Sequence, residues 1–243
     1  MLIVAIETSV LAVGVALYDG TTVLDETLED RATAASESLL HAVDEALARA
    51  GCARADIAGI AVTHGPGSFT GVRVGLAAAQ GLALGLDVPL TSLSTLDVVL
   101  YPHLAADTFV VGALDARRAE IYVAAAQAVP ATLADDIAYV LSPRVVAPDD
   151  IAPTLVTLAD QATVLLVGTG ARILAPHCIA HGVRHVNFGD PAFDIPRPAT
   201  LARLGHARLL AGKAIAIEHA DAHYLRGADA RTLAERAAAR TRA

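Results

Sequence analysis

The sequence has no tryptophan, one methionine and only 4% aromatic residues in 243. Its core must therefore be filled by small and branched aliphatic side chains. Two cysteines, Cys52 and Cys178, are too few for the disulfide framework that staples small secreted domains, and they suit a reducing compartment. Basic residues are scarce as well: 18 lysines and arginines face 26 aspartates and glutamates, a formal charge of −8. A chain that grips nucleic acid unaided needs a basic surface to displace phosphate counterions. The balance therefore argues against a main RNA grip and leaves that task to a basic partner. No apolar run is long enough for a membrane span. The longest weakly polar stretch, 74–86, is interrupted by Gln80 and falls short of the roughly 20 residues a bilayer needs. Met1 to Ile6 carry no basic side chain and meet Glu7 at once, so they do not read as a signal peptide. What is left is a cytoplasmic globular chain, 54% hydrophobic and long enough to bury a core as one or two domains.

Residues 2–8 form a short apolar run ending in polar residues, the pattern of a buried strand. Val13 to Tyr18 and Thr22 to Leu24 flank Asp19-Gly20, a hairpin signal, so the chain opens with three antiparallel strands. From Ser36 the period changes: Leu39, Leu40, Val43 and Leu47 predict one face of a helix over 36–50, capped by Ser36 and stopped at Gly51. A strand over 57–63 and a helix over 69–86 follow, giving the order βββαβα. A second round starts near residue 108. With an offset of 108, Ile3 to Glu7 falls on Val111 to Asp115, and Val13 and Val15 on Ile121 and Val123. This weak repeat predicts two related lobes, each a mixed sheet with helices. Further on, 163–167 reads as a strand, 171–181 and 199–211 as helices, and 141–150, with Pro143 and Pro148, as a loop.

The densest signal is Thr63 to Gly75. Pro66 and Gly67 suit the central positions of a type II turn, with positive φ at Gly67. The turn leads into a helix whose first amides point outward, so an anion cradle and a plain tight turn are both open; the absence of a Walker lysine favours the turn. Four glycines in the helix, Gly71, Gly75, Gly81 and Gly85, each cost about 1 kcal/mol relative to alanine. Gly71 and Gly75 share a face continued by Ala78, Ala79 and Leu82. Such a face packs closely either on the chain's own sheet or on a helix of another subunit. Val167-Gly168-Thr169-Gly170 is open to the same two readings, a vestigial nucleotide turn or a plain strand-to-helix turn. His177, His181 and His185 recur every four residues, but Cys178 stands where a zinc-protease motif needs glutamate, which favours an ordinary surface helix. Asp115, Arg117 and Glu120 read as an ion-pair network rather than a catalytic set. Five arginines, Arg226, Arg231, Arg236, Arg240 and Arg242, give the last residues a local positive excess over Asp229 and Glu235; a frayed, solvated helix is the default there.

Taken in order, Ala5 to Ser9, Gly65 to Arg73, Ser92 to Leu96, Leu114 to Tyr122 and Tyr224 to Arg226 resemble the signature segments of the TsaB family. That family is the dimerisation subunit for threonylcarbamoyladenosine synthesis on tRNA. The resemblance is firm over 2–125. It implies an actin-like fold in two lobes, self-association through a helical face, and pairing with the catalytic TsaD subunit. The TsaE ATPase joins that assembly, TsaC supplies threonylcarbamoyl-AMP, and TsaD holds the metal and performs the transfer. Two departures matter. Ala35 stands where the family usually has histidine, and Glu7 replaces the usual aspartate with a side chain one methylene longer.

The expectation is thus an actin-like α/β fold with lobes over 1–104 and 105–220 and a basic tail over 221–243. It has no catalytic residue, cofactor or metal of its own, and reaches tRNA only through the complex. Helices 36–50 and 69–86 would form the partner face through Leu39, Leu40, Val43, Leu47, Gly71, Gly75, Ala78, Ala79 and Leu82, giving a homodimer when alone. The alternative is an actin-like phosphotransferase or a metal-dependent, glycoprotease-like enzyme.

Overall fold

A computed structural model describes residues 1–10, 12–30, 38–105, 108–127, 130–160 and 162–225. β1 (Leu2–Glu7) is buried at every residue, as a short apolar run requires. It turns into β2 (Ala12–Tyr18) and then, through Asp19-Gly20, into β3 (Val23–Asp30). Gly20 takes φ 104°, and Asp19 Oδ1 accepts the Thr21 and Thr22 amides at 2.7 Å each. α1 (Ser38–Ala50), β4 (Ile57–Thr63), α2 (Phe69–Leu86) and β5 (Leu90–Leu93) complete the expected βββαβα order. Ala35 and the expected cap Ser36 lie outside the described residues. β1 pairs antiparallel with β2 and parallel with β4, so the first sheet runs β3-β2-β1-β4-β5.

After α3 (Thr95–Leu100) the plan repeats. β6 (Phe109–Asp115), β7 (Ile121–Ala126), β8 (Tyr139–Val146), α4 (Pro148–Ala159), β9 (Val164–Val167), α5 (Ala171–Ala180) and β10 (Val186–Phe188) build a second sheet in the order β10-β9-β6-β7-β8. These are two mixed α/β lobes of one topology, the actin-like architecture. The loop expected over 141–150 is instead the end of β8 and the start of α4. Both prolines occupy positions where a missing N–H is tolerated. Pro143 lies in an edge strand, where the pairing with β7 shifts register, and Pro148 stands in the first turn of α4.

The offset of 108 is also corrected. Val4 and Ile6 pack under α1 and α2, whereas Ile3 and Ala5 face the last helix, α6 (Pro198–Leu210). In the second lobe Val111 and Ala113 pack under α4 and α5. An even offset puts Ile3 on Val111 and so exchanges the two faces. The side-chain period of a strand is two, so the corresponding first strands are related by an odd offset.

Each lobe carries its own two helices on one face. The other face is closed by a helix from elsewhere in the chain: α3 lies on β6 and β7, and α6 lies on β1, β2, β4 and β5. Gly205 of α6 comes so close that an added Cβ would sit 2.3 Å from the Ala61 methyl. Glu26 of β3 accepts both Arg197 and the Ala199 amide, fixing the start of α6. Among the described residues, α2 alone is long and apolar enough to cross a bilayer. Its face of Gly71, Val72, Gly75, Leu76, Ala79 and Ala83 is instead buried on the first lobe.

Candidate functional site

The glycine-rich loop before α2 is built against the end of β1. Gly65, not Gly67, has the positive φ (100°), and the Gly65-Pro66 peptide is cis; the type II turn expected from Pro66-Gly67 is therefore not formed. Gly67 is required for another reason. A Cβ there would lie 2.1 Å from the Ser9 carbonyl oxygen, and the next amide, Ser68 N–H, donates to that same oxygen at 2.6 Å. Ser68 Oγ in turn accepts the Gly71 amide at 3.2 Å as the N-cap of α2. Two of the amides that an anion cradle would use are thus spent inside the chain, which favours the tight-turn reading. Thr8 completes the joint: its hydroxyl donates to the Gly71 carbonyl at 2.7 Å, and a Cβ on Gly75 would sit 2.2 Å from that hydroxyl oxygen.

Between the lobes lies a cleft of about 370 Å³, lined by Ser9 and Ser68 from the first lobe and by Asp115, Arg117, Tyr122 and Thr169 from the second, among others. Its polar groups are largely engaged. Asp115 accepts the Arg117 amide at 2.7 Å and pairs with the Arg117 guanidinium at 3.2 Å. Its own N–H donates to Thr169 Oγ1 at 3.1 Å. Arg117, Arg118 and Ala119 are all left-handed, with φ of 61°, 57° and 60°, a run that non-glycine residues rarely sustain. Gly168 and Gly170 clamp onto the end of β6: a Cβ on Gly168 would meet the Ala113 carbonyl oxygen at 2.3 Å, and the Gly170 amide donates to that oxygen at 2.9 Å. Backbone packing thus accounts for both glycines. Behind the cleft the buried Glu7 carboxylate accepts both the amide and the hydroxyl of Ser9.

The expected partner face divides in two. Leu39, Val43 and Leu47 of α1 and Gly71, Gly75 and Ala79 of α2 are buried in the chain's own first-lobe interior. Leu40 is 51% exposed, one position around the helix from that face. Ala78 and Leu82 are half-buried. The face that α2 presents outward is formed by Ala77, Gly81, Leu84 and Gly85. Leu84 is 73% exposed, and a Cβ on either Gly81 or Gly85 would meet nothing within 4 Å among the described residues. The close-packing stripe read from the sequence was the inner one. The outer stripe is legible on the same helical wheel, from an apolar Leu84 beside two glycines that no described neighbour requires.

Elsewhere the titratable groups serve the interior. Asp97 of α3 accepts the Tyr139 hydroxyl, and burial pushes its carboxyl up to about 6. His64 lies 3.1 Å from Ser92 Oγ, and burial pulls it down to about 4. Nothing in the sequence signals either, because their partners are 42 and 28 residues away. His177 and His181 both contact Asp149 Oδ1, at 3.0 and 3.2 Å. Among the described residues no three His, Cys, Asp or Glu side chains are gathered to hold an ion.

A family model described as TsaD, tRNA N6-adenosine threonylcarbamoyltransferase, matches residues 29–224. The tRNA threonylcarbamoyladenosine biosynthesis protein TsaB of Escherichia coli is 40% identical over 125 residues, covering 50% of this chain and 53% of that protein. TsaB of Bacillus subtilis is 35% identical over 122 residues, with shares of 50% and 53%. The aligned part thus spans about half the length of these curated relatives. The solved structure of YeaZ from Pseudomonas aeruginosa superposes with a TM-score of 0.75 at 28% identity, covering 92% of this chain and 99% of that one. With topology, matched segments and superposition in agreement, the chain belongs to the TsaB/YeaZ family, whose domain the threonylcarbamoyltransferase model describes.

Proposed function

We propose that this chain is a non-catalytic subunit of tRNA N6-threonylcarbamoyladenosine synthesis, one that binds and supports a TsaD catalytic subunit in the cytoplasm. The TsaE ATPase joins the same assembly, tRNA reaches the chain within it, and the isolated chain pairs with a second copy of itself. The observation that carries this reading is the outer face of α2. It combines an exposed Leu84 with glycines at 81 and 85 that have open space around them among the described residues, a surface that admits another helix at close range. Leu40, Ala78 and Leu82 flank it as the accessible part of the expected interface. The non-catalytic reading is supported by the pairing of Asp115 with Arg117 in the cleft and by the hydrogen bonds of Ser9 to Glu7 behind it.

The inner glycines cannot test the interface, because a bulky residue at Gly75 or Ala79 disturbs the fold itself. The test is Gly81→Leu and Leu84→Asp, measured by co-purification with TsaD, by solution mass, and by transfer to tRNA in a mixture of TsaC, TsaD and TsaE with and without this chain. Both variants are expected to fold normally, to lose association, and to lose their support of the transfer. Unchanged association for both removes the outer face of α2. Turnover of threonylcarbamoyl-AMP or peptides by the isolated chain removes the non-catalytic reading.

A further inference from the structure

The outward face of α2 has a projection at one end and a groove at the other. At its N-terminal end Phe69 is 59% exposed and Tyr224 45% exposed, with ring centroids 5.4 Å apart. The Arg73 guanidinium lies 3.4 Å above the Phe69 ring and 5.2 Å from that of Tyr224. Arg73 is itself exposed, and no carboxylate among the described residues pairs with it. Tyr224 is fixed there by the strap that follows α6. The Ile215 amide donates to the Leu90 carbonyl and the His223 amide to the His64 carbonyl, both at 2.8 Å. Stacking on the rings holds the guanidinium in place with its N–H groups directed outward. The result is an aromatic knob that carries a cation.

At the C-terminal end of the helix a groove of about 580 Å³ runs between α2 and the same strap. Leu84, Val88, Ile215 and Ile217 line it, together with Asp87 and Glu218. Both acids are exposed, and neither has a cationic partner among the described residues. Asp87 is the left-handed C-cap of α2, with φ 54°. Between knob and groove, Arg73, Ala77, Gly81 and Leu84 follow one another at helical spacing and so share one face. A Cβ on Gly81 would meet nothing within 4 Å among the described residues. A basic knob and an acidic groove thus stand at opposite ends of one face, with an open crossing point between them.

The surface that complements this face is the same face on a second copy. About a two-fold axis, residue i of one copy meets residue j of the other, and j meets i. If the axis passes α2 at position 80, Arg73 and Asp87 each lie seven residues from it, about 10 Å along the helix. In an antiparallel pair each Arg73 then faces Asp87 of the second copy, and Phe69, one turn further out, falls on the groove. A parallel pair would set Arg73 against Arg73 and Asp87 against Asp87. We propose that two copies of the chain pair antiparallel through α2 about a two-fold axis near Gly81, the Phe69–Arg73 knob of each seated in the acid-rimmed groove of the other. This rests on the self-pairing proposed above and adds its register, its polarity and its charged contacts, Arg73 with Asp87 and Glu218 of the second copy.

The test is sedimentation of the full chain over a range of concentrations, with charge reversals at the two ends of the face. Arg73→Asp and Asp87→Arg each turn two attractions per dimer into two repulsions. Each is expected to weaken self-association about tenfold or more. Asp87→Asn keeps a residue that suits the left-handed cap and is expected to weaken it about threefold. The decisive sample is an equimolar mixture of Arg73→Asp with Asp87→Arg. Two-fold pairing sets opposite charges together again at both ends, so the mixture is expected to associate as tightly as wild type although neither variant does alone. Circular dichroism and melting of each variant separate loss of pairing from loss of the fold. A wild-type dimer that none of these correctly folded variants weakens overturns the register and leaves the proposed face standing. Weakening by both reversals without recovery in the mixture overturns the antiparallel two-fold arrangement. A wild type that stays monomeric overturns this proposal together with the self-pairing. Co-purification with TsaD and support of tRNA modification are read separately, so their failure is distinguishable from each of these outcomes.

Discussion

Replacing Gly75 and Gly81 in turn by alanine should move stability in opposite directions, although both lie inside α2. In each case the helix itself gains about 1 kcal/mol from removing glycine's backbone freedom. At Gly81 nothing among the described residues lies within 4 Å of the new methyl, so in the unpaired chain, at concentrations where it does not self-associate, the gain stands. At Gly75 the methyl would sit 2.2 Å from Thr8 Oγ1. Thr8 is buried and its side chain is short and branched, so it escapes only by rotating away from the Gly71 carbonyl it now bonds at 2.7 Å. Overpacking of this kind costs about 1–3 kcal/mol, and a buried donor and acceptor left apart cost another 1–3 kcal/mol, roughly. Set against the helix gain, Gly75→Ala should lose about 3 kcal/mol net. For a chain of this size that lowers Tm by about 6–12 °C, while Gly81→Ala raises it by about 2–4 °C. The assay is thermal and urea unfolding followed by circular dichroism, with Thr8→Ala added alone and in combination. If the hydroxyl is the obstacle, the double variant is less damaged than the two single losses combined. A Gly75→Ala protein as stable as wild type, or a destabilised Gly81→Ala, would refute the assignment of the inner and outer faces of α2.

Three further expectations concern partly buried polar groups. Burial lifts Asp97 from its ordinary 3.8 to about 6, so folding favours its protonated form. The stability this group contributes is therefore complete at acid pH and falls by about 3 kcal/mol as pH rises from 4 to 6. Asp97→Asn should gain on wild type across that window and stay level above it in urea titrations; a flat difference contradicts the burial. His64 has the opposite sign. Held near 4 rather than 6.5 by burial, it favours folding when neutral, and its contribution is lost by about 3 kcal/mol as pH falls from 6.5 to 4. His64→Gln should accordingly resist acid better than wild type in the same titrations. Finally, Glu26→Ala removes the acceptor of both Arg197 and the Ala199 amide at the start of α6. It should cost about 1–2 kcal/mol, read as a lower urea midpoint. No change in the midpoint would mean that α6 is held by its apolar contacts alone.

Much of the fold could be read from residue order, because the signals are local. Asp19-Gly20 sets a hairpin through the φ of one glycine and one carboxylate, and short apolar runs mark β1, β4 and β6 whatever surrounds them. The family resemblance likewise rests on contiguous strings. The prolines at 143 and 148 misled because proline is a breaker only where its N–H is needed. An edge strand and a first helical turn do not need it, and being an edge is a property of the assembled sheet.

The sequence by itself determined the two-fold repetition of strands and helices, the net acidic charge, and the presence of a glycine-rich helix after β4. Only the tertiary structure decided which side of that helix is spent. Gly71 and Gly75 resemble Gly81 and Gly85 in composition and spacing, but Thr8, 67 positions before Gly75, bonds the Gly71 carbonyl and fills the space beside Gly75, and nothing among the described residues fills the space beside the second pair. The same holds for the swapped helices α3 and α6 and for Tyr224 beside Phe69. In each case the partner is distant along the chain, and periodicity records that a face is apolar or small without recording what will cover it.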